Sequence, residues 1–191
     1  RIIIVEIIGH KTGWLALGAG VAGGADVVLI PEIPYDIQVV AEAIRNRSKA
    51  GKRFSIIALS EGALSREDHA MQEGLRNGDG DGTMTRESLE DHLADRSMRL
   101  SAQLQDLTGL ESRVTILGIS ISGGRILATR LGTACARLLN DGIAGVMVAS
   151  RGEEAVPVAL DEVAGKRKSV PIDHPWINAA LKVGTCLGDQ L

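Results

Sequence analysis

Residues 1–36 read RIIIVEIIGHKTGWLALGAGVAGGADVVLIPEIPYD, and the order of residue types in this stretch decides the fold. An apolar run over residues 2–8 stops at the turn Gly9-His10-Lys11-Thr12. A stretch rich in Ala and Gly follows, long enough for a helix, and a second apolar run over 27–30 ends at Pro31-Glu32. Strand, turn, helix and strand within about 30 residues make a βαβ unit. Both runs are apolar without alternation, as in strands covered on both faces. The first empties into a turn carrying His10 and Lys11, and ligands of open parallel sheets sit at such strand ends.

Working outward, Asp36 stands where an N-cap belongs for a helix over 37–50. Val39, Val40, Ala43 and Ile44 form the inner face of that helix, and Gly51 is its C-terminal stop. Thr12 takes the same capping place before a helix over 14–22. Residues 54–60 read as a third buried strand ending at Glu61-Gly62. Polar, Gly-rich residues 63–85 read as a loop, and Leu89, Leu93, Leu100, Leu104 and Leu107 set a helical period over 86–107. A short strand over 114–117 precedes a helix opened by Gly123-Gly124, and 143–149 with 155–160 form a hairpin joined by 151–154. A last helix spans 174–183. Strands alternating with helices make the chain α/β, with no internal repeat or low-complexity segment.

At 191 residues the chain suits a single domain or one lobe of a larger one. A hydrophobic content of 45% supplies a core, and a net charge of −3 leaves no basic field for nucleic acid. Aromatic residues at 2% are too few for base-stacking surfaces. Cys135 and Cys186 sit in apolar, helical-looking surroundings and are expected as buried thiols rather than a disulfide framework. Without a signal peptide, transit peptide or long apolar span, the expected location is the cytoplasm, away from membranes. The chain opens at Arg1, inside a core strand and without Met, so further polypeptide is expected upstream.

Residues 5–36 resemble the second half of a bacterial-type phosphofructokinase, whose corresponding strand reads close to VEVMGRHAGWLAL. Later pieces resemble the same family in the same order: Ile56-Ile57-Ala58-Leu59-Ser60-Glu61-Gly62, Glu111-Ser112-Arg113-Val114-Thr115-Ile116-Leu117-Gly118 and Val170-Pro171-Ile172-Asp173-His174-Pro175. The likeness casts residues 1–191 as the C-terminal, substrate-binding half, with 63–107 a loop-plus-helix insertion. It implies an incomplete parallel-sheet phosphofructokinase-like fold, a substrate-binding lobe plus C-terminal elements. It also implies phosphoryl transfer from ATP or pyrophosphate, with Mg2+, to the 1-hydroxyl of fructose 6-phosphate, giving fructose 1,6-bisphosphate. The Gly-rich donor loop, the catalytic Asp and the metal-holding carboxylates of the family would all precede Arg1, and no GGDGS-like or TIDND-like sequence occurs here. The chain alone is therefore expected to lack kinase activity. A homo-oligomer (dimer or tetramer), or a partner chain carrying the N-terminal half, is the expected setting.

By pattern alone, Gly9-His10 after a strand is as readily a plain turn as a point of approach for a phosphate. The resemblance makes Ile8, Gly9 and His10 contacts to fructose 6-phosphate. The family usually carries Arg at His10, where it stabilises charge on the transferred phosphoryl group. Histidine is shorter and its charge depends on pH, so His10 is a candidate catalytic residue with a weakened role. Glu61 reads either as a solvated carboxylate at a sheet edge or as an acceptor-only group for sugar hydroxyls, and the resemblance selects the second. Arg1 and Arg113 are surface charges or bidentate phosphate ligands. In the family the matching arginines reach across a subunit interface to the neighbour's sugar phosphate.

Residues 117–124 depart from the family pattern LGHxQRGG, with Ile119 and Ser122 in place of the His and Arg that hold the sugar 6-phosphate. Charged hydrogen bonds are worth about 1.5–3 kcal/mol each, so binding is expected to weaken by roughly a hundredfold or more. Ser120, Ser122 and the amides before a helix remain to cradle a phosphate. Asp26 and Lys52 match an effector site of allosteric members, but Ala50 and Phe54 depart from it, and effector control is not expected. Residues 77–88 resemble a calcium loop, except that Ser88 stands where a bidentate Glu belongs, and a flexible acidic loop is the plainer reading. Two other classes compete with the enzyme. One is a non-catalytic or degenerate subunit for sugar-phosphate binding or assembly, which Ile119 and Ser122 favour. The other is a calcium-responsive interaction module.

Overall fold

A computed structural model describes residues 1–77, 95–117, 121–152 and 154–190. In chain order its elements are β1 (Ile2–Ile7), α1 (Trp14–Gly23), β2 (Val27–Leu29), α2 (Ile37–Lys49), β3 (Ser55–Ser60), α3 (Arg66–Asn77) and α4 (Arg96–Thr108). There follow β4 (Ser112–Leu117), α5 (Ile121–Asn140), β5 (Val146–Arg151), β6 (Glu154–Ala159), α6 (Leu160–Val163) and α7 (Pro175–Lys182). They fall into two compact units, Arg1–Gly118 with Ser169–Leu191, and Ile119–Lys168.

The first unit is built on a parallel sheet of strand order β2-β3-β1-β4. On one face Ile4, Leu29 and Ile57 pack with Val40 and Ile44 of α2 and with Leu100 and Leu104 of α4. On the other, Val28 and Ala58 pack with Ala16 and Leu17 of α1 and Ile177 of α7. Successive residues of β2 and β3 point to opposite faces and pack on helices at both, which is why those strands show no polar alternation. The tail closes the β2 edge: the Cys186 N–H donates to the Asp26 carbonyl (3.0 Å), and its carbonyl accepts from the Val28 N–H (2.9 Å).

Several expectations from sequence are met and several are corrected. Asp36 caps α2 by accepting from the Gln38 N–H at 2.8 Å. Its buried face is Val40, Ala41 and Ile44, with Val39 and Ala43 only half-buried, because a period of 3.6 brings 40, 41 and 44 to one side. Thr12 does not cap α1; its hydroxyl lies 3.4 Å from the Gly9 carbonyl, while the Gly13 N–H at the helix start donates to Glu32 across the sheet (3.0 Å). The stretch read as a loop over 63–85 holds helix α3. Ser65 Oγ accepts from the Asp68 N–H (3.0 Å), acidic Glu67 and Asp68 occupy the first turn and Arg76 the last, the end chemistry of a helix with a polar surface. Cys135 is exposed rather than buried and Cys186 half-buried, both as free thiols, and burial pushes the Cys186 thiol up.

In the second unit the anticipated hairpin is present as antiparallel β5 and β6, with α5 against it. Among the described residues no helix is long and apolar enough to cross a membrane. The calcium-like stretch, from residue 78 onward, lies outside the described residues.

Candidate functional site

β1 and β3 run in register with Ile7 opposite Ser60, so the residues that follow each strand emerge side by side at the C-terminal edge of the sheet. After β1 the chain turns through Ile8, Gly9 and His10; after β3 it passes through Glu61 and Gly62. The Glu61 N–H donates to the Ile7 carbonyl (3.0 Å), and its side chain then folds over the neighbouring turn. Oε2 accepts from the N–H groups of both Gly9 and His10, each at 3.1 Å, and Oε1 lies 3.4 Å from His10 Nδ1.

Two consecutive amides converge on one oxygen because His10 sits in the left-handed region, at φ 52°, which is uncommon outside glycine. The Gly9 amide contributes most to holding the Glu61 carboxyl below the usual range of glutamate; burial opposes it, and the His10 amide and ring add to it. Gly62 permits the two turns to meet, since a Cβ there would overlap the His10 carbonyl and stand 3.0 Å from Pro31 Cγ. The far end of the His10 turn is fixed by Glu32, whose carboxylate accepts from the Gly13 N–H (3.0 Å) and the Val170 N–H (2.8 Å).

The chemistry of this arrangement is that of an anchored acceptor. One carboxylate oxygen is occupied by backbone amides, while the other pairs with an imidazole that is 87% exposed. An ionised carboxylate accepts hydrogen bonds and never donates them, which suits hydroxyl groups of a polyol. Around the same edge lie charges that the sequence did not single out. Half-buried Arg96, in the first turn of α4, lies in the field of Glu6, Tyr35, Asp68 and Glu61; burial lowers its pKa against those groups. Buried Asp68 pairs with Arg99 at 3.0 Å, and burial pushes Tyr35 up to about 12.

Arg1 and Arg113 lie elsewhere. Arg113 stands opposite Ile3, near the start of β4, and the rise from Ile3 to Gly9 is roughly 20 Å at about 3.3 Å per residue. Both arginines pair with Glu111, Arg1 Nε and an Arg113 terminal nitrogen each at 2.9 Å. Arg113 first, then Arg1, holds Glu111 below the ordinary carboxylate range. One chain therefore groups Ile8, Gly9, His10 and Glu61, and sets Arg1 with Arg113 at the opposite edge. Ile119 lies outside the described residues; Ser122 falls in the first turn of α5, its side chain likewise outside what is described. Asp26 is engaged within the fold, accepting from the Ile56 N–H (2.8 Å) and pairing with Arg47 (2.6 Å). Among the described residues no group of three or more His, Cys, Asp or Glu converges as a metal site.

A parallel sheet with helices on both faces and a carboxylate-anchored turn at its C-terminal edge defines an α/β protein whose candidate site lies at the strand ends. The family described as Phosphofructokinase matches residues 1–139. The ATP-dependent 6-phosphofructokinase of Propionibacterium freudenreichii subsp. shermanii is 49% identical over 205 residues, covering 99% of this chain and 55% of that protein. The corresponding protein of Spirochaeta thermophila is 45% identical, over 99% of this chain and 51% of its own length. Among solved structures, a pyrophosphate-dependent phosphofructokinase from Marinobacter aquaeolei shares the fold with a TM-score of 0.66 at 18% identity, over 97% of this chain and 48% of that one. The chain belongs to the phosphofructokinase family. It spans about half the length of the curated relatives it matches.

Proposed function

We propose that this chain forms the sugar-phosphate side of a 6-phosphofructokinase-type phosphotransferase, presenting fructose 6-phosphate for transfer of a phosphoryl group from ATP or pyrophosphate to its 1-hydroxyl. The observation that carries this reading is the Glu61 carboxylate, anchored through one oxygen on the Gly9 and His10 amides, with the other 3.4 Å from the exposed His10 ring. In this reading Glu61 accepts from sugar hydroxyls, Gly9 admits the substrate close to the backbone, and His10 in its charged form offsets charge on the transferred group. The relatives named as ATP-dependent 6-phosphofructokinases support the substrate class. Ile119 and Ser122 stand where the family holds the 6-phosphate, so affinity is reduced by roughly a hundredfold.

Arg1 and Arg113, at the far edge of the sheet, serve the sugar phosphate of a second subunit, and the complete site belongs to a cytoplasmic homo-oligomer. The phosphoryl donor and Mg2+ are bound by polypeptide other than the residues described.

Calorimetric titration of the 191-residue chain with fructose 6-phosphate tests the reading. Saturable heat that is lost in Glu61→Gln supports it. No heat at millimolar ligand overturns it and leaves the non-catalytic assembly subunit. Formation of fructose 1,6-bisphosphate by the chain alone, in a coupled assay, would place the donor site within these residues after all.

A further inference from the structure

The tail that begins at Ser169 is tied to the start of α1 at two points. The first is Glu32, which holds the Gly13 and Val170 amides on one carboxylate. The second is a cluster of three rings. The His174 ring stands T-shaped to Trp14 (centroids 4.9 Å apart, planes at 88°) and to Trp176 (5.4 Å, 85°), and the two indoles meet at 6.2 Å. Trp14 opens α1 directly after Gly13, so the rings grip the chain where the turn through Gly9 and His10 runs into the helix.

His174 is also the N-cap of α7, an uncommon residue in that place. Its Nδ1 accepts from the Trp176 N–H at 3.2 Å, the bond that Ser, Thr, Asp or Asn ordinarily supplies. An imidazole nitrogen accepts only while it carries no proton. A proton on Nδ1 turns the acceptor into a donor aimed at an N–H, and sets a positive charge at the positive end of a helix. The cap and the charged ring therefore exclude one another in this geometry. The backbone of the segment is held independently of the ring: the His174 N–H donates to the Pro171 carbonyl (3.0 Å), and its carbonyl accepts from the Ile177 N–H (2.9 Å).

Few charges surround the cluster. Helix α1 carries no ionisable side chain, and α7 carries only Lys182, at its far end. Exposed Asp173 precedes the cap, and Glu32 is engaged by the two amides. In the turn before α1, Lys11 is exposed and the His10 ring lies beside Glu61.

We propose that His174 is a positioning residue for the Gly9–Gly13 turn. Neutral, it caps α7 and holds Trp14 against the tail; protonated, it releases both, and the end of the turn at Gly13 loosens. Histidine changes charge near neutral pH, so the turn responds to pH through a residue outside it. This rests on the sugar-phosphate reading only for what the turn binds.

Both tryptophans of the chain belong to the cluster, so indole emission reports on it directly. The test titrates the ligand-free chain from about pH 8 to about pH 5 and follows emission, Trp176 amide exchange corrected for its intrinsic rate, and the Gly13 amide resonance. As the His174 ring gains its proton, emission is expected to change and Trp176 protection to fall about fivefold, the equivalent of a lost N-cap. The Gly13 resonance is expected to move with the same midpoint. His174→Asn keeps a capping oxygen without a titrating ring, and all three transitions are expected to vanish in it. Should that variant not fold, the His174 ring resonances of the wild-type chain supply the midpoint that the three signals must share. The proposal is overturned by transitions that persist in His174→Asn, by Trp176 protection that does not change, or by a Gly13 resonance that does not follow the His174 midpoint. No ligand is present in these measurements, so a failure to bind fructose 6-phosphate would remove the sugar-phosphate reading and leave them unaffected.

Discussion

Glu61→Gln separates the charge of the central carboxylate from its shape. A glutamine oxygen can still accept from the Gly9 and His10 amides at the 3.1 Å held by the carboxylate, but the other oxygen, beside His10 Nδ1, becomes an NH2 donor. Hydrogen bonds to charged groups are worth about 1.5–3 kcal/mol, against about 0.5–1.5 kcal/mol between neutral ones. The two anchoring bonds should therefore weaken by about 1 kcal/mol each, less solvent screening, since the Glu61 side chain is 37% exposed. The net loss of stability is expected at about 1 kcal/mol, read as a shift in the urea midpoint at constant slope. Recognition should suffer more. A sugar hydroxyl loses its ionised acceptor and meets a donor, a change of about 1.5–3 kcal/mol or roughly 10- to 100-fold in Kd for fructose 6-phosphate. Glu61→Ala leaves both amides without a protein acceptor and should cost about 2–3 kcal/mol in stability as well as the affinity. A Glu61→Gln chain with wild-type Kd by calorimetry would show that the carboxylate does not meet the sugar. Gly9 and His10 amide resonances unmoved in Glu61→Ala would refute the anchoring geometry itself.

Gly62→Ala forces a methyl group into the His10 carbonyl, and overpacking of this kind costs about 1–3 kcal/mol; a melting temperature and a Kd both equal to wild type would contradict the close approach. Because Glu61 titrates below its ordinary value, its contribution is complete above the unfolded pKa near 4.5 and disappears as pH falls through the lower folded pKa. Unfolding free energy measured from about pH 6 to pH 3 should thus fall more steeply for wild type than for Glu61→Gln, and parallel curves would disprove the linkage. Glu32→Ala releases the Gly13 and Val170 amides together and should destabilise by about 2–4 kcal/mol, with faster amide exchange at both; exchange unaltered at Val170 would show that the tail is held by other contacts. In an equimolar mixture of Glu61→Gln and Arg113→Ala chains, fructose 6-phosphate affinity should recover in a fraction of sites, whereas two additive defects with no recovery would exclude a shared site.

What the sequence discloses here is set by the range of the interactions. The continuous apolar runs at 27–30 and 56–59 announce a sheet covered on both faces, since each residue is constrained by its own side of the sheet. The Asp36 cap is similarly local, two residues from its donor. Helix α3 escaped a reading by hydrophobic period because the side chain it buries is Asp68, a carboxylate matched by Arg99. The position of Glu61 at a strand end was legible, but its partners were not: Gly9 lies 52 residues away, and only the β1–β3 register brings them together. Glu32 is a stronger case, joining the end of β2 to the start of α1 and to Val170, 138 residues later. No pattern in the neighbourhood of Glu32 distinguishes it from a solvated carboxylate.

The direction of the strands constrains how the residues named for one ligand can act together. In a parallel sheet every strand delivers its C-terminal end to the same edge, which is where Glu61 and His10 meet. Arg113 enters at the other edge, held with Arg1 on Glu111, and the roughly 20 Å between the two groups is rise along hydrogen-bonded strand rather than a gap that a loop might close. Side-chain rotation moves a guanidinium by several ångströms, not by that distance, and bending the sheet would break the β1–β4 ladder. If these arginines and Glu61 grip the same sugar phosphate, the arginines must come from another molecule, and affinity must then rise with protein concentration until the oligomer is saturated.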